Sequence, residues 1–150
     1  MSSPPRTHYF AYGSNLWLAQ MTQRCPQSTL IGTGLLPSHR WFIYSRGYAN
    51  IRPSAPDECY GIVYSITDAD MALLDRYEGA PYIYERVVRD VQMLDDGRVL
   101  PCVVYIDPIV EEGVVKEEYI KRINNGLEDA REIPERWVER YVRPYVPAAA

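Results

Sequence analysis

Tyr82-Ile83-Tyr84-Glu85-Arg86-Val87-Val88-Arg89-Asp90-Val91-Gln92-Met93-Leu94, then Asp95-Asp96-Gly97-Arg98, then Val99-Leu100-Pro101-Cys102-Val103-Val104-Tyr105-Ile106 reads as two strands around a tight turn. Valine, isoleucine and tyrosine favour the pleated surface of a sheet. Asp96-Gly97 between two such runs is a strong hairpin signal. A hairpin pairs its strands antiparallel, so this stretch sets the character of the sheet.

Upstream, the same reading gives strands at His8 to Tyr12, Thr29 to Leu36, Arg40 to Ser45, Ala49 to Ile51 and Cys59 to Ile66. Gly32 and Gly34 mark a bulge or a close approach within one of them. Pro53 to Asp57 reads as a loop. A helix is expected from Leu16 to Arg24, capped by Ser14 or Asn15 and stopped by Pro26. Thr67 opens another, with Asp70 three residues on as a variant capping box and Gly79 as its left-handed terminator. Downstream, one helix covers Val115 to Asn125 with Gly126 behind it. A last one runs from Pro134 to Tyr141. Strands outnumber helices and do not alternate with them. The expected class is therefore α+β: a small, curved, mostly antiparallel sheet or barrel with flanking helices.

At 150 residues the chain fits one domain. Residues 1–7 are Ser/Pro-rich and expected loose, 8–145 form the domain, and 146–150 are a tail. Hydrophobic residues at 47% and charged residues at 24% exclude wholesale disorder. A net charge of −4 argues against a phosphate-binding nucleic-acid partner. No apolar run is long enough to span a membrane. The N-terminus has no signal-peptide core, so a cytoplasmic protein is the expectation. Cys25, Cys59 and Cys102 are far apart and odd in number, which suits neither a disulfide framework nor a zinc site. No metal and no cofactor are expected. Trp17, Trp137 or the tyrosines could form a homodimer patch or simply fill the core. The 13 tyrosines against 2 phenylalanines could line a polar pocket, but a half-wet β core is the preferred reading for most of them.

Two stretches carry chemistry. Tyr9-Phe10-Ala11-Tyr12-Gly13-Ser14-Asn15-Leu16 is a strand, a small-residue turn and a helix start. Unpaired amides at such a start suit an anion or an oxyanion. An ordinary capped turn would look the same. Asp75-Arg76-Tyr77-Glu78-Gly79 places Glu78 at a helix C-terminus, where the macrodipole opposes its charge and raises its pKa. A carboxylate so raised can serve as a general acid/base, although an exposed glutamate on a fraying end fits too. Asp75 is the weaker acid, because Arg76 or a neighbour can pair with it.

Tyr9 to Leu16 resembles the signature of the γ-glutamylcyclotransferase family, within the AIG2-like superfamily. Asn50 to Val63 resembles its loop-and-strand segment. Leu74 to Gly79, followed by Tyr84, resembles its catalytic-glutamate segment. Tyr119-Ile120-Lys121, Gly126, Ile133-Pro134 and Tyr141 resemble its C-terminal helices. Tyr77 departs from the glutamine of some relatives. Tyr-Gly-Ser-Asn-Leu differs from the first loops of the γ-glutamylamine and glutathione-specific types, which favours γ-glutamyl dipeptides. The resemblance implies cyclisation of a γ-glutamyl group to 5-oxoproline with release of an amine. It implies Glu78 as general acid/base. It implies substrate contacts from Tyr12, Gly13, Ser14, Asn15, Leu16, Tyr84 and Tyr119, with Tyr105 as a pocket wall. The partner implied is a small γ-glutamyl molecule. Two other readings stand beside it: a pathway-specific intermediate as substrate, or a ligand-binding module without catalysis.

Overall fold

The computed structural model describes residues 5–78 and 84–149. Five strands close into a barrel in the order β1-β3-β2-β4-β5. They are β1 (Arg6–Ala11), β2 (Thr29–Ile43), β3 (Ala49–Thr67), β4 (Glu85–Met93) and β5 (Val99–Ile106). All pairs are antiparallel except β5 with β1, which meet parallel at Tyr9 and Val103. The α+β class and the mostly antiparallel barrel expected from the sequence are what the chain forms.

The hairpin at Asp96-Gly97 forms as read. Gly97 has φ +74°, which a glycine adopts without strain, and β4 pairs with β5 from Glu85–Ile106 to Gln92–Val99. Tyr82 and Ile83, read as the start of this strand, and Gly79, read as a helix terminator, lie outside the described residues.

β2 and β3 are longer than the separate short strands expected. The two runs Thr29 to Leu36 and Arg40 to Ser45 are one strand, bent by irregularities at Leu30/Gly32 and Pro37/His39. Gly32 therefore does mark a bulge. Ser38, at φ +60°, carries the second bend. The stretch read as a loop from Pro53 to Asp57 is extended and belongs to β3, yet Ser54 to Asp57 have no partner on β2. The backbone there is extended without being paired, which composition alone reads as loop.

The helices sit on the outside and at the ends. The first departs from expectation. Ser14–Leu16 is a single 3-10 turn, Trp17 is extended, and α1 (Leu18–Arg24) follows. Neither Ser14 nor Asn15 caps it; the Leu18 amide donates to the Asp129 carboxylate at 2.9 Å instead. α2 (Asp68–Glu78) opens with the anticipated reciprocal pair. The Asp70 amide donates to Thr67 Oγ1 at 3.2 Å, and the Thr67 amide to Asp70 Oδ2 at 3.3 Å. α3 (Glu117–Asp129) runs through Gly126 rather than stopping before it. That glycine is a contact point: a Cβ there would lie 2.6 Å from Leu16 Cβ and 2.9 Å from the Trp17 amide nitrogen. α4 (Glu135–Trp137) continues into a π-helical turn over Val138–Val142, with Pro134 as its cap.

Phe10, Phe42, Ile43, Val63, Val91 and Val104 are fully buried in the hydrophobic core. β1 starts at Arg6, and Val146 is fully buried. No described helix is long and apolar enough to cross a membrane.

Candidate active site

A cavity of about 270 Å³ opens where the end of β1, the β2–β3 turn, the end of α2 and one face of α3 converge. It collects Glu78, Tyr12, Gly13, Ser14, Asn15, Tyr84, Tyr105 and Tyr119, eight of the nine residues singled out from the sequence. Leu16 is the exception. It is buried against Gly126 of α3 and positions the loop from behind rather than touching the cavity.

The 13-16 loop is held from several sides. The Trp41 indole donates to the Tyr12 carbonyl at 2.8 Å. Tyr64 Oη donates to the Asn15 carbonyl at 2.7 Å. Asn15, expected to offer donors to a ligand, spends its side chain inside the protein. Its Nδ2 donates to Tyr9 Oη at 3.0 Å, while its Oδ1 accepts from Gln20 at 2.9 Å and Arg24 at 3.2 Å. Ser14 differs. Its Oγ accepts from Gln20 Nε2 at 2.7 Å, which leaves the hydroxyl proton to donate. Gln20 went unnoticed in the sequence because a lone glutamine on a short helix carries no pattern.

The amides of this loop are not equivalent. Leu16 N donates to the Gly13 carbonyl at 3.1 Å, and Ser14 N to Tyr119 Oη at 3.2 Å. Among the described residues, no protein acceptor is paired with the amides of Gly13 and Asn15. The helix-start picture is thereby corrected: α1 begins later, and a single turn presents these groups. Gly13 is needed for closeness, since a Cβ there would lie 2.7 Å from Tyr119 Oη.

Eight tyrosines line the cavity, and six of them, Tyr9, Tyr12, Tyr44, Tyr84, Tyr105 and Tyr119, also belong to the buried core. Most of their hydroxyls are anchored: Tyr12 to the Tyr105 carbonyl at 2.5 Å, Tyr84 to the Ala49 carbonyl at 3.1 Å, Tyr105 to Asp75 Oδ1 at 2.6 Å. Burial, and then the nearby Glu78 charge, hold the phenols of Tyr9, Tyr12 and Tyr119 well above their ordinary range. They are neutral hydrogen-bonding walls at physiological pH. Asp75 is occupied as the sequence suggested, though by Arg86 at 2.7 Å rather than by Arg76.

Glu78 ends α2 and is the one carboxylate that the described residues bring to the cavity wall. Desolvation among the tyrosine rings pushes its carboxyl up from 4.5 to about 7, against a smaller opposing pull from Arg24. The dominant cause is burial, which only the tertiary structure supplies. Three guanidiniums, Arg24, Arg46 and Arg122, also reach the cavity and were not picked out from the sequence. Arg24 lies 4.5 Å from the centre of the Tyr77 ring.

The barrel therefore gathers in one cavity a pinned polar loop, neutral phenols and one carboxyl group pushed up to about 7. The chain belongs to the gamma-glutamyl cyclotransferase, AIG2-like family, whose model matches residues 9–123. It is similar to the gamma-glutamylcyclotransferase of Mus musculus, at 26% identity over 145 residues, covering 88% of this chain and 75% of that one. A solved gamma-glutamyl cyclotransferase superposes with TM-score 0.83 at 22% identity, over 97% of this chain and 90% of its own. An uncharacterised protein from Homo sapiens superposes with TM-score 0.79 at 25% identity, over 89% of this chain and 85% of its own.

Proposed function

We propose that the cavity takes a γ-glutamyl amine and closes it to 5-oxoproline, with Glu78 as the general acid/base. The observation that carries this reading is the Glu78 carboxyl itself, raised to about 7 on the wall of a cavity shared with a loop whose Gly13 and Asn15 amides meet no protein acceptor among the described residues. Family membership and the name of the mouse relative support it.

The reaction is intramolecular. The α-ammonium of the glutamyl group loses a proton to the Glu78 carboxylate. The freed nitrogen attacks the γ-carbonyl carbon, forming the ring C–N bond. The γ-oxygen becomes an oxyanion, for which the amides of Gly13 and Asn15 and the Ser14 hydroxyl are the donors at hand. The intermediate collapses as the original amide C–N bond breaks; Glu78 returns its proton to the departing nitrogen, then takes the second proton from the ring nitrogen, which is left as the lactam N–H, and that proton leaves with the amine as its ammonium. A carboxyl near pH 7 can both take and give that proton. Holding the glutamyl chain folded supplies much of the acceleration. No protein nucleophile is called for.

The test is release of 5-oxoproline from a panel of γ-glutamyl dipeptides, γ-glutamyl-lysine and glutathione, with Glu78→Gln alongside. Release from dipeptides that disappears in the variant supports the proposal. A variant with wild-type rates removes Glu78 from the mechanism. Binding without turnover of any compound replaces the enzyme with a ligand-binding module.

A further inference from the structure

Gln20 does not line the cavity, yet it is buried against the loop that does. It sits one turn before Arg24 on α1, so the two side chains leave the same face of the helix and meet Asn15 together. Arg24 then fixes the direction of every hydrogen bond that follows. A guanidinium only donates, so the Asn15 atom it reaches at 3.2 Å is the carbonyl oxygen Oδ1. Asn15 Nδ2 is left for Tyr9 Oη, at 3.0 Å. The same Oδ1 faces Gln20 at 2.9 Å, so Gln20 must present its NH2 there and not its carbonyl. That NH2 gives its other hydrogen to Ser14 Oγ at 2.7 Å. The Ser14 proton therefore has no acceptor at Gln20. Across the loop stands Tyr119 Oη, which already accepts the Ser14 amide at 3.2 Å. Burial, then the Glu78 charge, push the Tyr119 phenol up, and hydrogen bonds from Ser14, amide and hydroxyl alike, pull against them. A phenol whose oxygen accepts in this way has its own proton to give.

We propose that Gln20 is a positioning residue: by donating to Ser14 Oγ it commits the Ser14 hydroxyl, and Tyr119 next to it, to act as donors towards an oxygen of the bound ligand. The proposal rests on the cyclisation reading above for the identity of that ligand, whose carboxylate and carbonyl oxygens are acceptors. A free hydroxyl can offer either its proton or a lone pair. Only the proton suits such an oxygen, and setting it before the ligand arrives removes the cost of turning it. Gln20 touches neither ligand nor cavity, so its effect must pass through Ser14.

The test is a double-mutant cycle between positions 20 and 14, read by calorimetric titration with 5-oxoproline and by turnover of γ-glutamylalanine. Gln20→Glu replaces the donor with an acceptor that captures the Ser14 proton, and affinity should fall about tenfold. Gln20→Met only removes the donor, and the fall should be about two- to threefold. In a Ser14→Ala background both losses should vanish, since nothing is left to turn. A purely structural role for Gln20, or the bare charge of the new carboxylate, would persist in that background. Proton NMR adds a signature that needs no ligand: in Ser14→Ala one of the two Gln20 side-chain amide protons should move upfield while the other, on Asn15, stays. Circular dichroism confirms that each variant is folded, and Gln20→Met carries the cycle if Gln20→Glu does not fold. Losses that survive in Ser14→Ala, no loss in either Gln20 variant, or amide protons that do not move overturn the proposal and leave the cyclisation reading intact. If 5-oxoproline binds with the expected coupling but no γ-glutamyl compound is turned over, the positioning role stands and the cyclisation reading falls. If there is neither binding nor turnover, both fall.

Discussion

Glu78 is where a single residue decides the most. Its ionised form is the one that folding disfavours, so the sign of its effect on stability is fixed. Below about pH 4.5 it is protonated in both folded and unfolded chains and costs nothing. As pH rises through about 7 the unfolded chain gains by ionising first, and the fold loses stability. Glu78→Gln should therefore melt higher than wild type at pH 8, by up to about 3 kcal/mol, and no higher at pH 4. Urea titrations at the two pH values check this. The same substitution should lower turnover by roughly 10²–10⁴, and the wild-type kcat/KM should climb with pH through about 7. Gly13 makes a second residue-scale prediction. In Gly13→Ala the new Cβ collides with Tyr119 Oη and breaks its bond from the Ser14 amide. Ligand affinity should fall more than in Tyr119→Phe, which removes the hydroxyl but leaves the space. Isothermal titration with 5-oxoproline compares them.

The elements matter through how they pin the 13-16 loop. α3 crosses behind it at Gly126, and its last turn lends Asp129 to the first amide of α1. In an open helix, glycine to alanine gains stability, about 1 kcal/mol. Here the added methyl meets Leu16 Cβ and the Trp17 amide, so Gly126→Ala should instead destabilise, by about 1–3 kcal/mol. Asp129→Ala should cost about 0.5–2 kcal/mol as the loss of a cap. Thermal melts of the two variants separate these contributions. Read along the chain, Gly126 looked like a helix end, because a glycine after a periodic run most often is one. Only the packing of α3 on the loop turns it into a contact.

At the scale of the molecule, the C-terminal segment packs against β2 and β3. Asp57, in the unpaired part of β3, accepts from Ser54 at 2.5 Å and from Tyr141 at 2.5 Å, with Arg40 at 3.7 Å. Trp137 donates to the neighbouring Glu58 carbonyl at 2.7 Å. The hydrogen bonds from Ser54 and Tyr141 hold the Asp57 carboxyl below its ordinary value. Its stabilising effect is therefore present above about pH 4 and is lost as pH falls lower. Asp57→Asn should lower the melting temperature at pH 7, and the gap to wild type should narrow in acid.

Sequence alone determined what depends on neighbours along the chain. The hairpin at Asp96-Gly97, the Thr67–Asp70 cap, the bulge at Gly32 and the placement of Glu78 at a helix end all follow from local backbone preferences, and local preferences are written residue by residue. The loop motif and the glutamate segment also carried the family resemblance. What only the tertiary structure decided depends on residues far apart in the chain. Closure of the barrel through a parallel β1–β5 contact joins segments more than ninety positions apart. Burial raises the Glu78 pKa in a cavity lined by tyrosines from β1, α2, β5, α3 and the segments that connect the strands and helices. Asn15 becomes a pin rather than a ligand donor because Tyr9, Gln20 and Arg24 reach it first. The three arginines share a cavity only because a turn and two helices meet there, and no spacing along the chain records that meeting.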